Sequence, residues 1–258
     1  MNFTAETSSN GVLERDFLLH EIPGVHWSAP NQPATDQPAA IQPAAIQPAT
    51  DRPAAERPLV LLAHGGGQHK RAPGVVARAQ RLVASGFDAV SLDAPGHGGR
   101  PRTESDERDI ALMRAAMQAG EPVGEIVSRF NGDIAERAVP EWRAVLDAIG
   151  PRHPVGFFGL ALGTAIGVPL VAAEPRISAA VLGVFWGESL IGTAQKITVP
   201  IEFLHQWDDE HITRESGLSL FDAFASTEKT LHANSGAHLE VPRFEVDSTV
   251  AFFRRHLR

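Results

Sequence analysis

The sequence predicts an α/β protein whose mostly parallel, twisted sheet is flanked by helices. Short continuous apolar runs such as Leu59-Val60-Leu61-Leu62-Ala63 are what strands buried on both faces require. Between the runs lie segments with apolar residues at helical spacing, so strand, helix and strand alternate as in βαβ units. A third feature is the strand 155–159, which runs through Gly159-Leu160-Ala161-Leu162-Gly163 straight into a helix. Its two glycines mark a turn too tight for side chains.

In chain order, residues 12–27 alternate (Phe17 and Leu19 against Leu18 and His20) and then reach Pro23-Gly24, which reads as two strands joined by a turn. Residues 30–58 follow as a low-complexity loop built on Gln-Pro-Ala pentads. Proline at every fifth place blocks both helix and sheet ladder. The pentads carry no aromatic anchor for a partner, so a repeat-expanded surface loop is expected. Residues 58–63 form the next strand, ending in His64-Gly65-Gly66-Gly67. A helix over 75–85 closes at Gly86, and a strand over 88–92 ends in Asp93-Ala94-Pro95-Gly96-His97-Gly98.

Residues 101–131 change character. Charges cluster first, then Ile110, Leu112, Met113, Ala116 and Met117 fall at helical spacing until Gly120, Pro122 and Gly124 interrupt. Ile126, Val127 and Phe130 start a second short helix. A small helical lid is expected here, with an amphipathic helix over 131–149 after it. Beyond the glycine turn come a helix over 163–173 with an internal Pro169 that should bend it, and strands over 179–185, 199–205 and 229–232. Helices over 215–224 and 244–256 complete a single domain spanning 1–258.

Composition excludes several classes of function. A net charge of −8 supplies no basic stripe for nucleic acid, and no Lys/Arg run addresses a membrane surface. There is no cysteine, hence no disulfide, thiolate site or Cys nucleophile, and there is no tyrosine. The polar first ten residues lack a secretory apolar core, and no stretch approaches a membrane span, so a cytoplasmic protein is expected. His64, His69 and His97 lack metal-ligand spacing and accompanying carboxylates, so no metal and no cofactor is expected.

The turn at 159–163 has the layout of a nucleophile elbow, Gly-x-Ser-x-Gly, in which a serine hydroxyl is lifted clear of the sheet. Together with His64-Gly-Gly-Gly67, Asp93-x-x-Gly96-x-Gly98, Trp207-Asp208-Asp209 and Gly236-Ala-His238, in that order along the chain, it resembles the α/β-hydrolase superfamily from about residue 12 to the end. The likeness is nearest to the small esterase and dienelactone-hydrolase-like branch. It implies an α/β-hydrolase fold acting on a small ester or lactone through an acyl-enzyme, with residue 161 at the nucleophile position and His238 as the base. Asp209 would be the acid, with Asp208 the alternative, since Gln206 stands where the family usually has Gly. The N–H of Leu162 and that of Gly66, or of Gly67 beside it, would form the oxyanion hole. Trp186 and Trp207, at strand ends on the catalytic edge, are candidate pocket walls, as is Met117 under the lid.

The nucleophile position holds Ala161, not serine. One origin is deliberate replacement of a parent serine; the other is natural loss, leaving a fold that binds a ligand or partner. Retention of His238, Asp209 and the oxyanion glycines favours replacement, since a chain without catalysis has no use for them. Drift at a strained turn would also favour glycine, which removes the strain.

Overall fold

The computed structural model describes residues 1–30, 57–150 and 154–257. The pentad loop at 31–56 lies outside the described residues. The strands on either side of it, β3 (Ile22–Ser28) and β4 (Leu59–Ala63), belong to one sheet. That sheet has nine strands among the described residues, in the order β1-β2-β3-β5-β4-β6-β7-β8-β9. The first four pair antiparallel, and everything from β5 (Asp88–Leu92) through β4 to β9 (Lys229–Asn234) is parallel.

The antiparallel end corrects the sequence reading twice. Strand β1 (Asn2–Ser9) was not expected: all eight of its residues are exposed, so it carries no core signal. Its hairpin with β2 (Val12–Leu19) turns at Asn10-Gly11, both at positive φ (51° and 73°), the dipeptide that two-residue hairpins favour. The second turn falls at His20-Glu21, and Pro23-Gly24 lies inside β3, paired with Leu18 and Phe17. The missing side chain of Gly24 makes room for the Phe17 ring, which an added Cβ would meet at 2.1 Å.

Between β4 and β5 runs α1 (Pro73–Val83), which buries Val75, Ala79, Leu82 and Val83. Helix α2 (Glu104–Ala119) starts on a capping box, where Thr103 and Asp106 each accept the other's backbone N–H, and stops at left-handed Gly120. The two helices expected over 126–149 are one, α3 (Gly124–Ile149). Phe130, Ile134, Ala138, Trp142 and Val145 form a single buried stripe across the expected break, and Gly132 sits harmlessly on the exposed side.

Helix α4 (Leu162–Ala173) follows β6 (Val155–Gly159) and continues through Pro169. Beyond it lie β7 (Ile177–Gly183), the single turn α5 (Ile191–Ala194), β8 (Ile201–Gln206), α6 (Arg214–Ala223) and α7 (Glu245–His256). Two buried apolar clusters sandwich the sheet. One, around Phe157, Leu182 and Phe203, lies under α3 and α4; the other, around Trp27, Leu204 and Phe253, lies under α1 and α7. No described helix is long and apolar enough to cross a membrane.

Glu174 locks the end of α4 to the start of β7. Its buried carboxylate accepts hydrogen bonds from Arg176 Nε (2.7 Å) and Nη2 (2.6 Å), and from Arg143 Nε at 3.4 Å. The Arg176 bonds hold the Glu174 carboxyl down at about 2 against burial, from an ordinary 4.5. A depressed folded-state pKa stabilises above the unfolded value and is lost as pH falls through the folded one. The urea midpoint should therefore drop between pH ~4.5 and ~2, and Glu174→Gln should lower it at neutral pH while flattening that acid limb. An acid limb identical in the two chains would refute this role for Glu174.

Candidate active site

At the end of β6 the chain turns through Leu160 and Ala161 into α4. Ala161 has φ 53° and ψ −117°, a sparsely populated conformation that costs a residue with a Cβ about 1–3 kcal/mol. Both elbow glycines are needed for close approach. A Cβ on Gly159 would stand 2.5 Å from the Gly163 carbonyl oxygen, and one on Gly163 would stand 3.2 Å from that of Ala63. The turn is moored to β7, since Ala161 donates its N–H to Gly183 O at 3.1 Å. Thr164 Oγ1 lies 2.9 Å and 2.6 Å from the carbonyl oxygens of Gly159 and Gly183 and accepts the Gly183 N–H. Fully buried and so engaged, that hydroxyl is no substitute nucleophile.

Asp209 and His238 come from the loops after β8 and β9, neighbouring strands, and this adjacency joins them. His238 Nδ1 lies 2.8 Å from Asp209 Oδ2. Asp209 Oδ1 accepts the N–H groups of His211 and Ile212, each at 2.9 Å. Burial raises the Asp209 carboxyl, but the bonds from His238 and these two amides outweigh it and hold it below its ordinary value. Asp208 instead faces solvent and pairs with Arg214 at 3.3 Å. The geometry therefore separates the two neighbouring aspartates: only Asp209 reaches the imidazole.

Three residues that the sequence reading left without a role fasten these loops. Gln206 is fully buried, and its Nε2 donates to Ala237 O at 3.3 Å. Glu210 Oε2 accepts the His238 N–H at 2.9 Å, and Glu240 Oε2 accepts that of Ala237 at the same distance. His211 packs its ring edge-on against His238 at 5.5 Å. The signal for Gln206 was its departure from the family's glycine.

A cavity of about 950 Å³ opens over the elbow. Ala161, Leu162, Gly66, Gly67 and His238 all border it. Leu162 opens α4, where backbone N–H groups lack intrahelical partners and face outward from the helix end. The loop carrying Gly66 and Gly67 is set by His64. Its Nδ1 is 2.8 Å from Gly65 O, and its Nε2 accepts the Ala94 N–H at 3.0 Å. Burial lowers the His64 pKa to about 4, so the ring is neutral and acts as a spacer between the β4 and β5 loops.

Met117 and Trp186 line the cavity; Met113 and Ile110 of α2 and Val127 and Phe130 of α3 give it an apolar wall. Trp207 does not line it. The indole is 39% exposed, with the Arg214 guanidinium over one face at 4.4 Å and the His205 ring edge-on at 5.9 Å, and these contacts hold it outside the cavity.

A crevice at the carboxyl ends of parallel strands, with an elbow after β6 and an Asp–His pair after β8 and β9, defines the class of α/β hydrolases. No protein-family model matches the chain, and no curated protein does. Solved structures do. A cold-adapted esterase from an Arctic intertidal metagenomic library, with polyethylene glycol bound, is 33% identical over 100% of both chains, with a TM-score of 0.74. Native and zinc-bound structures carrying the same description align at 30% identity over 100% of both chains, with TM-scores of 0.69 and 0.68. Acetyl xylan esterase 1 from Thermoanaerobacterium shares the fold at 12% identity, with a TM-score of 0.66 over 98% of this chain and 87% of that one. On the full-length likeness to the Arctic enzyme, the chain belongs to the esterase family of α/β hydrolases.

Proposed function

We propose that this scaffold is built to hydrolyse carboxylic esters or lactones through an acyl-enzyme, and that with Ala161 it binds such substrates without turning them over. The observation that carries the reading is the intact Asp209–His238 pair beside an elbow that lacks only its oxygen. With serine at 161, His238 Nε2 would take the hydroxyl proton as Oγ attacks the acyl carbon, then return it to the leaving alcohol. Asp209 would hold the Nδ1–H tautomer, while the N–H groups of Leu162 and Gly66 would meet the developing oxyanion. Gly67 is the alternative to Gly66. Helix α2 and the start of α3 would serve as the lid, with Met117 and Trp186 against the acyl or alcohol group. Replacement of a parent serine remains the favoured origin of Ala161, because everything that serves a serine has been kept.

The test is rapid mixing of the chain with activated esters and lactones, alongside calorimetric binding of the same compounds. Saturable binding with no burst of product is expected. A stoichiometric burst would sink the claim of inactivity. Ala161 itself also supports a second reading, a naturally non-catalytic binding protein. That reading gains if the serine variant also binds without turnover.

A further inference from the structure

Glu202 on β8, His232 on β9 and Glu245 in the first turn of α7 bring one imidazole and two carboxylates together. One donor atom of each lies within 4.8 Å of the others, the sole such group among the described residues. His232 Nδ1 is 2.9 Å from Glu245 Oε2, and its Nε2 is 3.8 Å from Glu202 Oε2. Asn234 Nδ2 donates to Glu245 Oε1 at 2.8 Å, which orients that carboxylate. Glu202 is different. It is 4% exposed, its Oε1 is enclosed without a hydrogen-bond partner, and 3.8 Å is too long for a bond to His232.

A desolvated carboxylate oxygen with no donor is costly, and native proteins rarely leave one. Arg255 near Glu202 and Arg78 near Glu245 add positive charge to the surroundings, yet neither donates to Oε1.

We propose that Glu202, His232 and Glu245 bind a divalent transition-metal ion of the zinc type, which ties β8 and β9 to α7. One imidazole with two carboxylates suits zinc, whereas magnesium and calcium take all-oxygen shells. Strand β9 is the edge of the sheet and the His232 side chain is 30% exposed, so an ion has a route in. None of the three residues lines the cavity over Ala161, which makes this a structural site apart from the ester chemistry.

The experiment uses the full chain stripped with EDTA and titrated with zinc, magnesium or calcium chloride, read by calorimetry and thermal unfolding. One zinc per chain is expected, with a Tm rise of roughly 5 °C at saturating zinc that EDTA reverses and the other two cations do not produce. Glu202→Gln and His232→Gln should each weaken zinc binding by at least ~10-fold. His238→Ala removes a different histidine–carboxylate pair, His238 with Asp209, and should leave the zinc affinity unchanged. Zinc binding that survives Glu202→Gln, or vanishes with His238→Ala, or fails to reach one equivalent would overturn the proposal. Should Glu202→Gln not fold, anomalous diffraction at the zinc edge from the unsubstituted chain decides. A peak among the three side chains upholds the site; a peak elsewhere, or none, removes it.

Discussion

Ala161→Ser is expected to raise kcat on activated esters by on the order of 10⁶, the cost that removing a nucleophilic serine carries in an intact triad. The expectation rests on how much is already in place. Residue 161 holds φ 53° and ψ −117° without a functional side chain, so the added hydroxyl meets a backbone already turned for it. The residue borders the same cavity as His238 and Leu162, and the base is held by Asp209 at 2.8 Å. The measurement is steady-state hydrolysis of short, bulky and cyclic esters by both chains, with circular dichroism to show an unchanged fold. A correctly folded serine variant that remains inert across all three groups would refute the acyl-enzyme reading.

In that serine background, Asp209→Asn should lower kcat by about 10⁴, while Asp208→Asn should stay within about twofold. The carboxylate of Asp209 accepts from His238 on one oxygen and from the amides of His211 and Ile212 on the other. An amide offers an N–H to one of these partners and so turns the imidazole toward the wrong tautomer. Asp208 makes only its exposed contact with Arg214, and losing it leaves the imidazole's partners intact. Equal losses in both variants would mean that the loop, not the carboxylate, carries the effect. A loss confined to Asp208→Asn would reverse the assignment.

The parallel half of the molecule was legible because burial on both faces writes itself as unbroken apolar runs, and glycines mark where strands stop. Motif order also singled out 161, 209 and 238, and the structure brings Asp209 to His238 and sets Ala161 and His238 on one cavity. The antiparallel edge was harder to read. Strand β1 buries nothing, so periodicity was silent, although Asn10-Gly11 announced its hairpin. Glycines at 120 and 124 were read correctly as an interruption, whereas the break expected near 131 vanished into α3, where the buried stripe overrode local punctuation. Trp207 shows the limit of arguing from strand ends. Such a side chain settles by contacts that no strand-end rule foresees, here the Arg214 guanidinium and the His205 ring. The Glu202–His232–Glu245 cluster was equally invisible, since its members are spaced 30 and 13 residues apart with no motif linking them.

Gln206, Glu210 and Glu240 clasp the loops bearing Asp209 and His238 without any contact passing through residue 161. Assembling the site and arming it are therefore separate events. Alanine and serine carry the same backbone strain at the elbow, so the fold hardly distinguishes them, whereas the proposed turnover would depend on the one oxygen between them. Because alanine and serine codons can differ by a single nucleotide, a lineage with this architecture would, on the proposed chemistry, cross between catalyst and receptor in one step. On that path no misfolded intermediate would be needed, and the return would be as short as the departure.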